Sequence, residues 1–304
     1  MFHVEQSNTI NVNLCPVCGK NNFITHLLLK DYFLSQEEFS ILKCTHCGLM
    51  ITNPQPKMEE LGKYYQSKDY ISHSTEKSGN IQVKLYNIIR KRTLKTKLSL
   101  LSKYTSGYRL LDIGCAIGVF LDYCRKHGYH VMGIEPELKA RQYAKDNFNL
   151  DIHDTNFIEK IESASLDVVT MWHVLEHVSD IEKRINSIHR ILTKEGTAII
   201  ALPNPDSYDA KYYQKYWAAY DVPRHLFHFT KESFSTLCER NSFKVISVIP
   251  MVYDSFYVSM LSEKYKNSKI PMVKAFLTGL KSNIFAMLNN KNYSSLIYIV
   301  KKAD

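Results

Sequence analysis

Nowhere in the 304 residues does an uninterrupted apolar run approach membrane-spanning length, and the first residues are polar and mixed, unlike a signal peptide. Both absences predict a cytoplasmic protein with no transmembrane segment. They also argue against a secreted disulfide framework, so the seven cysteines need another explanation. The Gly-x-Gly-x-x-Gly turn of dinucleotide-binding folds is missing as well. Acidic residues are the minority, 30 against 39 Lys and Arg, for a formal net charge of +9. That excess suits an acidic partner such as RNA, a phosphorylated substrate or an anionic surface, but surplus lysine as a solubility device is the preferred reading. An apolar content of 45% supports one sizeable α/β domain plus a small appendage.

Four of the cysteines come in duplicate. Cys15-Pro16-Val17-Cys18-Gly19 and Cys44-Thr45-His46-Cys47-Gly48 each form a knuckle whose glycine permits the turn that presents two thiolates to one ion. Two knuckles make a tetrahedral sulfur site suited to Zn2+, with Cys15, Cys18, Cys44 and Cys47 as ligands and His46 left out. The alternative is two unrelated pairs of buried cysteines. A redox pair would sit in a βαβ unit and need no twin. Between the knuckles, 23–29 and 39–43 read as strands of a zinc ribbon over residues 1–56. So small a module cannot bury enough core without its metal, which makes the role structural.

Residues 57–106 read as a helical linker or cap. A short helix over 57–67 carries Tyr64 and Tyr65, followed by Tyr70. A longer one over 80–104 places Ile81, Leu85, Ile88, Leu94, Leu98 and Leu101 near helical spacing. Its other face holds Arg90, Lys91, Arg92, Lys95, Lys97 and Lys103, a candidate RNA patch for which a solvated face is the preferred alternative.

From 107 onward strands and helices alternate. The central stretch is Leu110-Leu111-Asp112-Ile113-Gly114-Cys115-Ala116-Ile117-Gly118-Val119-Phe120. An apolar strand ends in an acid and two glycines, then enters a helix, so a ligand can approach the backbone and the helix N-terminus. Strand 129–134 ends at Glu135, a carboxylate placed to accept from both hydroxyls of a ribose. A short strand at 150–153 ends at Asp154, and with Asn156 it lies where a nucleobase amine would be met. Strand 167–172 ends in Trp172 and His173, and strand 197–202 closes on Pro203-Asn204-Pro205. This punctuation predicts an α/β, doubly wound sheet with ligands at the strand C-termini.

Leu110–Phe120, Gly133-Ile134-Glu135-Pro136 and Asp167–Val178, with Val-Leu-Glu-His-Val after the fourth strand, resemble class I S-adenosylmethionine-dependent methyltransferases. Ala116 departs from the glycine many members carry. The four-cysteine module ahead of this fold resembles the layout of nucleotide-sugar C-methyltransferases. The resemblance implies a Rossmann-like seven-stranded sheet with its last strand antiparallel, here expected at 243–249 and 295–301. It also implies S-adenosyl-L-methionine as cofactor, held by Asp112, Gly114, Cys115, Gly118, Glu135, Asp154, Asn156, Trp172 and His173.

The expected methyltransferase domain is 107–304, with a lid at 206–229 and a helical insertion at 254–290. The insertion has apolar residues at helical spacing; docking on the domain or on a second copy is preferred over a membrane surface. The lid crowds Tyr208, Tyr212, Tyr213, Tyr216, Trp217, Tyr220, Phe227 and Phe229 around Asp221, Arg224, His225 and His228. Methyl transfer often needs a base, and His225 is the first candidate because imidazole titrates near neutral pH. His173, His228 and Tyr220 follow; each histidine could equally be a hydrogen-bonding strut. His173-Val174-Leu175-Glu176-His177 matches an inverted zinc-protease pattern, but it follows a strand in a cofactor-binding sheet, which argues against a protease. Related quinone-pathway methyltransferases hold a divalent cation with acidic and His residues near here. For Glu176 and His177, packing or hydrogen bonding is the preferred reading. The expected function is methyl transfer to a small or medium-sized acceptor such as a sugar nucleotide, glycan precursor or other metabolite. The alternatives are an RNA methyltransferase and a cofactor-binding module without turnover.

Overall fold

The computed structural model describes residues 8–65 and 81–303, with the backbone alone for 81–87. Ser67, Tyr70 and the side chains of Ile81 and Leu85 therefore lie outside the described residues.

The N-terminal strands are β1 (Thr9–Ile10), β2 (Phe23–Lys30), β3 (Glu38–Cys44), β4 (Met50–Asn53) and β5 (Gln55–Pro56). A short helix α1 (Met58–Leu61) follows, running on as one 3-10 turn at Gly62–Tyr65, and then the long α2 (Ile81–Tyr104). The main sheet uses β6 (Arg109–Ile113), β7 (His130–Ile134), β8 (Ile152–His153), β9 (Leu166–Trp172) and β10 (Leu192–Pro203). Helices α3 (Val119–Arg125), α4 (Leu138–Phe148) and α5 (Ile181–Ile191) connect them. Beyond come α6 (Tyr208–Tyr213), β11 (Phe227–His228), α7 (Lys231–Arg240), β12 (Phe243–Pro250), α8 (Asp254–Tyr265), α9 (Pro271–Leu288) and β13 (Ser295–Lys302).

The main sheet has seven strands in the order β12-β13-β10-β9-β6-β7-β8. Strands β6 to β10 are parallel, and β13 runs antiparallel to both β10 and β12. The predicted seven-stranded architecture and its reversed last strand are therefore present. The central strands are buried on both faces and mostly apolar: Leu110 to Ile113 are all buried, with Asp112 the polar exception. Helix α5 shows the complementary logic. Asp180 caps its N-terminus by accepting from Lys183 N, and Ile181, Ile185, Ile188 and Ile191 form the one face that enters the core.

The N-terminal sheet has the order β11-β4-β3-β2, so its edge strand comes from residues 227–228, far along the chain. Phe227 and Phe229 share one apolar core with Cys44, Leu49, Ile51 and Leu175. This pairing welds the cysteine module to the segment after β10. That segment, 206–229, is itself well packed: Tyr213, Trp217 and Tyr220 are buried with Leu29, Phe39, Ile41 and Met50.

Candidate active site

At the C-terminal edge of the parallel strands, β6 delivers Asp112 into a buried position. The Thr170 hydroxyl, from neighbouring β9, donates to Asp112 Oδ1 at 2.6 Å. Burial nevertheless pushes the Asp112 carboxyl up to about 7, with Glu135 adding to the rise and Lys97 opposing it. The turn after β6 holds Gly114 at φ 74° and Gly118 at φ 78°. A Cβ on Gly114 would stand 2.3 Å from Val174 Cγ2, and one on Gly118 2.6 Å from Leu150 Cδ1, so neither position admits another residue without displacement. Ala116 sits between them at φ 48°, in the left-handed region a glycine would take without strain.

Glu135, at the end of β7, is buried and ties this turn to the next: Ala116 N donates to Oε2 at 2.9 Å and Glu137 N to Oε1 at 3.0 Å. Gly114 N and Cys115 N both donate to the Ile134 carbonyl, at 2.7 and 3.2 Å. Cys115 is buried, and burial keeps its sulfur a thiol. Asp154 caps the turn after β8 by accepting from Asn156 N at 3.0 Å, and both residues are exposed at the rim.

Trp172 ends β9 with its ring edge-on to Phe120, centroids 5.5 Å apart. The Lys97 ammonium lies 4.1 Å from the Trp172 centroid and 5.4 Å from that of Phe120. Burial pulls the Lys97 amine down to about 8, against the fields of Asp112 and Asp254. Lys97 thus leaves the basic outer face of α2 and enters the mouth. The sequence signal was its place among Leu94, Leu98 and Leu101, the apolar stripe of the same helix.

His173, next in chain, has φ 58° and is clasped by two carboxylates: Asp254 Oδ2 lies 3.1 Å from Nε2 and Glu176 Oε1 3.4 Å from Nδ1. Burial disfavours its charge, yet these two acids raise its imidazole to about 10, which makes it a cation at neutral pH. Asp254 belongs to the insertion, where spacing gave no reason to single it out.

Glu176, His177 and His225 converge, with one ligand-type atom of each within 4.8 Å of the others. Glu176 is buried and neither carboxylate oxygen accepts a hydrogen bond of ordinary geometry. Burial works to raise its carboxyl, but His173, His225 and His177 hold it below the ordinary range. His177 Nδ1 lies 3.0 Å from the Arg224 carbonyl, and His225 Nδ1 2.8 Å from the Ala219 carbonyl. A carbonyl only accepts, so a neutral His225 carries its proton on Nδ1 and keeps a lone pair on Nε2, whereas His177 Nδ1 also lies 2.9 Å from the Tyr65 hydroxyl, which can either donate to it or accept from it. Burial holds His177 down to about 4. Two imidazole lone pairs and an orphaned carboxylate can take up a proton or a divalent ion. His225 joins this group through the fold, and its distance along the chain hid it.

The N-terminal sheet sets the position of His225. Thr52 N donates to the Leu226 carbonyl at 3.0 Å, and the Thr52 hydroxyl donates to the His225 carbonyl at 2.6 Å. Because that hydroxyl proton is committed, Thr52 Oγ1 accepts from His228 Nε2 at 3.0 Å. His228 is therefore a neutral strut within the sheet, and burial keeps its imidazole well below its ordinary range. Tyr220 packs edge-on to His228, 5.2 Å between centroids, and burial raises its phenol. Of the four candidate catalytic groups, the structure brings His225 and His173 close to Glu176, while His228 bonds Thr52 of the N-terminal sheet and Tyr220 packs against it.

The four cysteines also converge. Cys15 and Cys47 sulfurs are 3.5 Å apart, as are those of Cys18 and Cys44, and all four lie within 4.8 Å. That spacing fits sulfurs around one tetrahedral ion with bonds of about 2.3 Å. Gly19 N and Gly48 N donate back to Cys15 O and Cys44 O, at 2.8 and 3.0 Å, which closes each knuckle.

A family model described as a methyltransferase domain matches residues 86–248, more than half of the chain. The ubiquinone biosynthesis O-methyltransferase of Bradyrhizobium sp. (strain ORS 278) is 28% identical over 104 residues, 33% of this chain and 41% of that one. The mitochondrial ubiquinone biosynthesis O-methyltransferase of Bos taurus is 26% identical over 170 residues, 51% of this chain and 46% of its own. The chain thus spans less than half the length of these curated relatives. Among solved structures, a SAM-dependent methyltransferase from Thermotoga maritima superposes with a TM-score of 0.50 at 15% identity, covering 73% of this chain and 95% of that one. Geranyl diphosphate C-methyltransferase from Streptomyces coelicolor A3(2) does so with a TM-score of 0.50 at 10% identity, over 70% and 80% of the two chains. Both likenesses are of fold. With the sheet order, the glycine turn and the strand-end carboxylates in agreement with the matched segment, the chain belongs to the methyltransferase-domain family.

Proposed function

We propose that the protein is an S-adenosyl-L-methionine-dependent methyltransferase acting on a small-molecule acceptor, with a structural Zn2+ on its four cysteines. The observation that carries this reading is the mouth itself: buried Asp112 beside a glycine turn, Glu135 one strand away, and aromatic faces that already hold a cation. The cofactor supplies a methyl group on a cationic sulfonium. Asp112 is a buried carboxylate lacking a full counter-charge, Glu135 is placed for ribose hydroxyls, and Trp172 with Phe120 offers the surface a sulfonium favours. Asp154 and Asn156 remain the candidates for the base edge.

His225 is the proposed base. Its Nδ1–H is fixed on the Ala219 carbonyl, which leaves Nε2 free to accept a proton, and Glu176 can stabilise the resulting cation. His173 is already charged, so its role is to position Asp254 and Glu176 and add positive field. His225→Ala should lower turnover by about 100-fold or more while cofactor affinity stays unchanged. The curated relatives are named for ubiquinone biosynthesis, which favours a small acceptor; a sugar nucleotide or glycan precursor belongs to the same class.

The test is transfer from methyl-labelled S-adenosyl-L-methionine in a lysate of the source organism, followed by separation of RNA, protein, lipid and small molecules. Label in the small-molecule or lipid fraction supports the proposal. Label in RNA assigns the acceptor to nucleic acid, and absence of label in every fraction leaves only cofactor binding.

A further inference from the structure

We propose that the outer face of the α8–α9 hairpin docks on an anionic lipid bilayer, with α9 lying in the plane of the interface. The inference goes beyond methyl transfer and does not depend on it.

The hairpin is built with its large apolar residues outward. The face of α9 that enters the protein consists of Ala275, Thr278, Gly279, Ser282 and Ala286. The facing surface of α8 buries Ser255, Ser259 and Ser262. Small residues let the two helices approach closely: a Cβ on Gly279 would stand 3.0 Å from the Phe256 Cα. Phe276, Leu277, Leu280, Ile284, Met287 and Leu288 point away, and even Leu280, the least accessible of them, is 41% exposed. The small residues of α9 are buried, and the bulky ones remain uncovered. Contiguous exposed apolar patches rimmed by polar residues mark interaction sites.

Charge selects the occupant. From Lys264 to Ala303 the sequence contains no Asp or Glu, while Lys264, Lys266, Lys269, Lys274, Lys281 and Lys291 are all exposed, Lys266 with its ammonium over the Tyr212 and Tyr213 rings. In a twofold dimer the same patch meets itself, so these lysines would face lysines with no carboxylate to pair them. An anionic membrane surface takes up both properties, apolar side chains in the acyl boundary and lysines among phosphate groups. No described helix is long and apolar enough to cross a membrane, and the 18 residues of α9 suit an in-plane position. The face also reaches the mouth: Asp254 begins α8 and contacts His173, and Phe285 packs on Tyr208 at 5.4 Å.

The test is flotation of the full chain with phosphatidylcholine vesicles, with and without phosphatidylglycerol, alongside analytical ultracentrifugation without lipid. The expected result is binding to the anionic vesicles alone, weakened by salt. The double variant Phe276→Glu with Leu280→Glu should bind at least about tenfold more weakly while remaining folded, because both side chains are largely exposed and the fold gives up only the contact of Phe276 with Phe256, 5.6 Å between centroids. Leu28→Glu, at another exposed apolar position in β2, should bind like the parent chain. No binding to anionic vesicles, equal binding to neutral ones, or unchanged binding by the double variant overturns the proposal. A dimer that the double variant dissociates, without vesicle binding, assigns the face to a second copy.

Discussion

Arg224 and Asp112 are both buried charges, and their surroundings are opposite. Arg224 Nη2 lies 2.8 Å from Asp31 and 2.7 Å from Asp221, its Nη1 donates to the Tyr64 carbonyl at 3.1 Å, and its guanidinium caps the Phe33 ring. Asp31 in turn accepts from the backbone of Phe33, Leu34 and Ser35. This closed network pins the cysteine module to segment 206–229. At the mouth, Asp112 has one hydrogen bond, Glu176 has none of ordinary geometry, and Lys97 rests on aromatic faces. A closed network serves the fold; an open one is retained because something else completes it.

The largest effect that sharpens this contrast belongs to the cysteine site, the other closed cluster. Structural zinc sites of this type carry about 10 kcal/mol or more of folding free energy, so Cys44→Ser should unfold the N-terminal sheet, as proteolysis within 9–56 would show. Retention of a protected module would remove zinc from the account. Next comes Arg224→Ala, which strands Asp31 and should cost about 3–5 kcal/mol in denaturant unfolding. A change near zero would break the distinction between the two regions.

Asp112→Asn should act in the opposite direction. An Asp raised to about 7 keeps its proton in the fold after the unfolded chain has lost it, near its ordinary value of about 4. The fold therefore loses stability as pH rises from about 4 to about 7, by something on the order of 4 kcal/mol, and Asn escapes that loss while still accepting from Thr170. The variant should melt no lower than the parent at pH 7, and the difference between them should vanish near pH 4. The smallest expected change is Ala116→Gly. Relief of the left-handed backbone, less the entropy gained by the unfolded chain, should stabilise the fold by about 0.5 kcal/mol in thermal melts.

Much of the architecture was legible because it is local. The strands ending at Asp112, Glu135 and Trp172 announce themselves by apolar runs closed by polar residues, and Ile181, Ile185 and Ile188 mark α5 by helical spacing. The knuckles are equally local, since each is set by a cysteine pair and its glycine. What the sequence hid depends on tertiary pairing. Residues 227–228 become an edge of the N-terminal sheet through the partners Ile51 and Met50, and that pairing carries His225 to Glu176. Lys97 was hidden by its neighbours, because a lysine among other basic residues reads as solvated until its helix phase is compared with the leucines beside it. The insertion was legible as helix, while its orientation was not: apolar spacing alone does not say whether the large residues turn inward or outward.

The most direct test of the open-charge account is calorimetric titration of S-adenosyl-L-methionine into the parent chain and into Asp112→Asn, with melting curves of both. The account predicts one site on the parent chain, affinity reduced by about 100-fold in the variant, and a melting temperature that does not fall. Equal affinity in the two proteins, or a variant that loses stability along with binding, would contradict it.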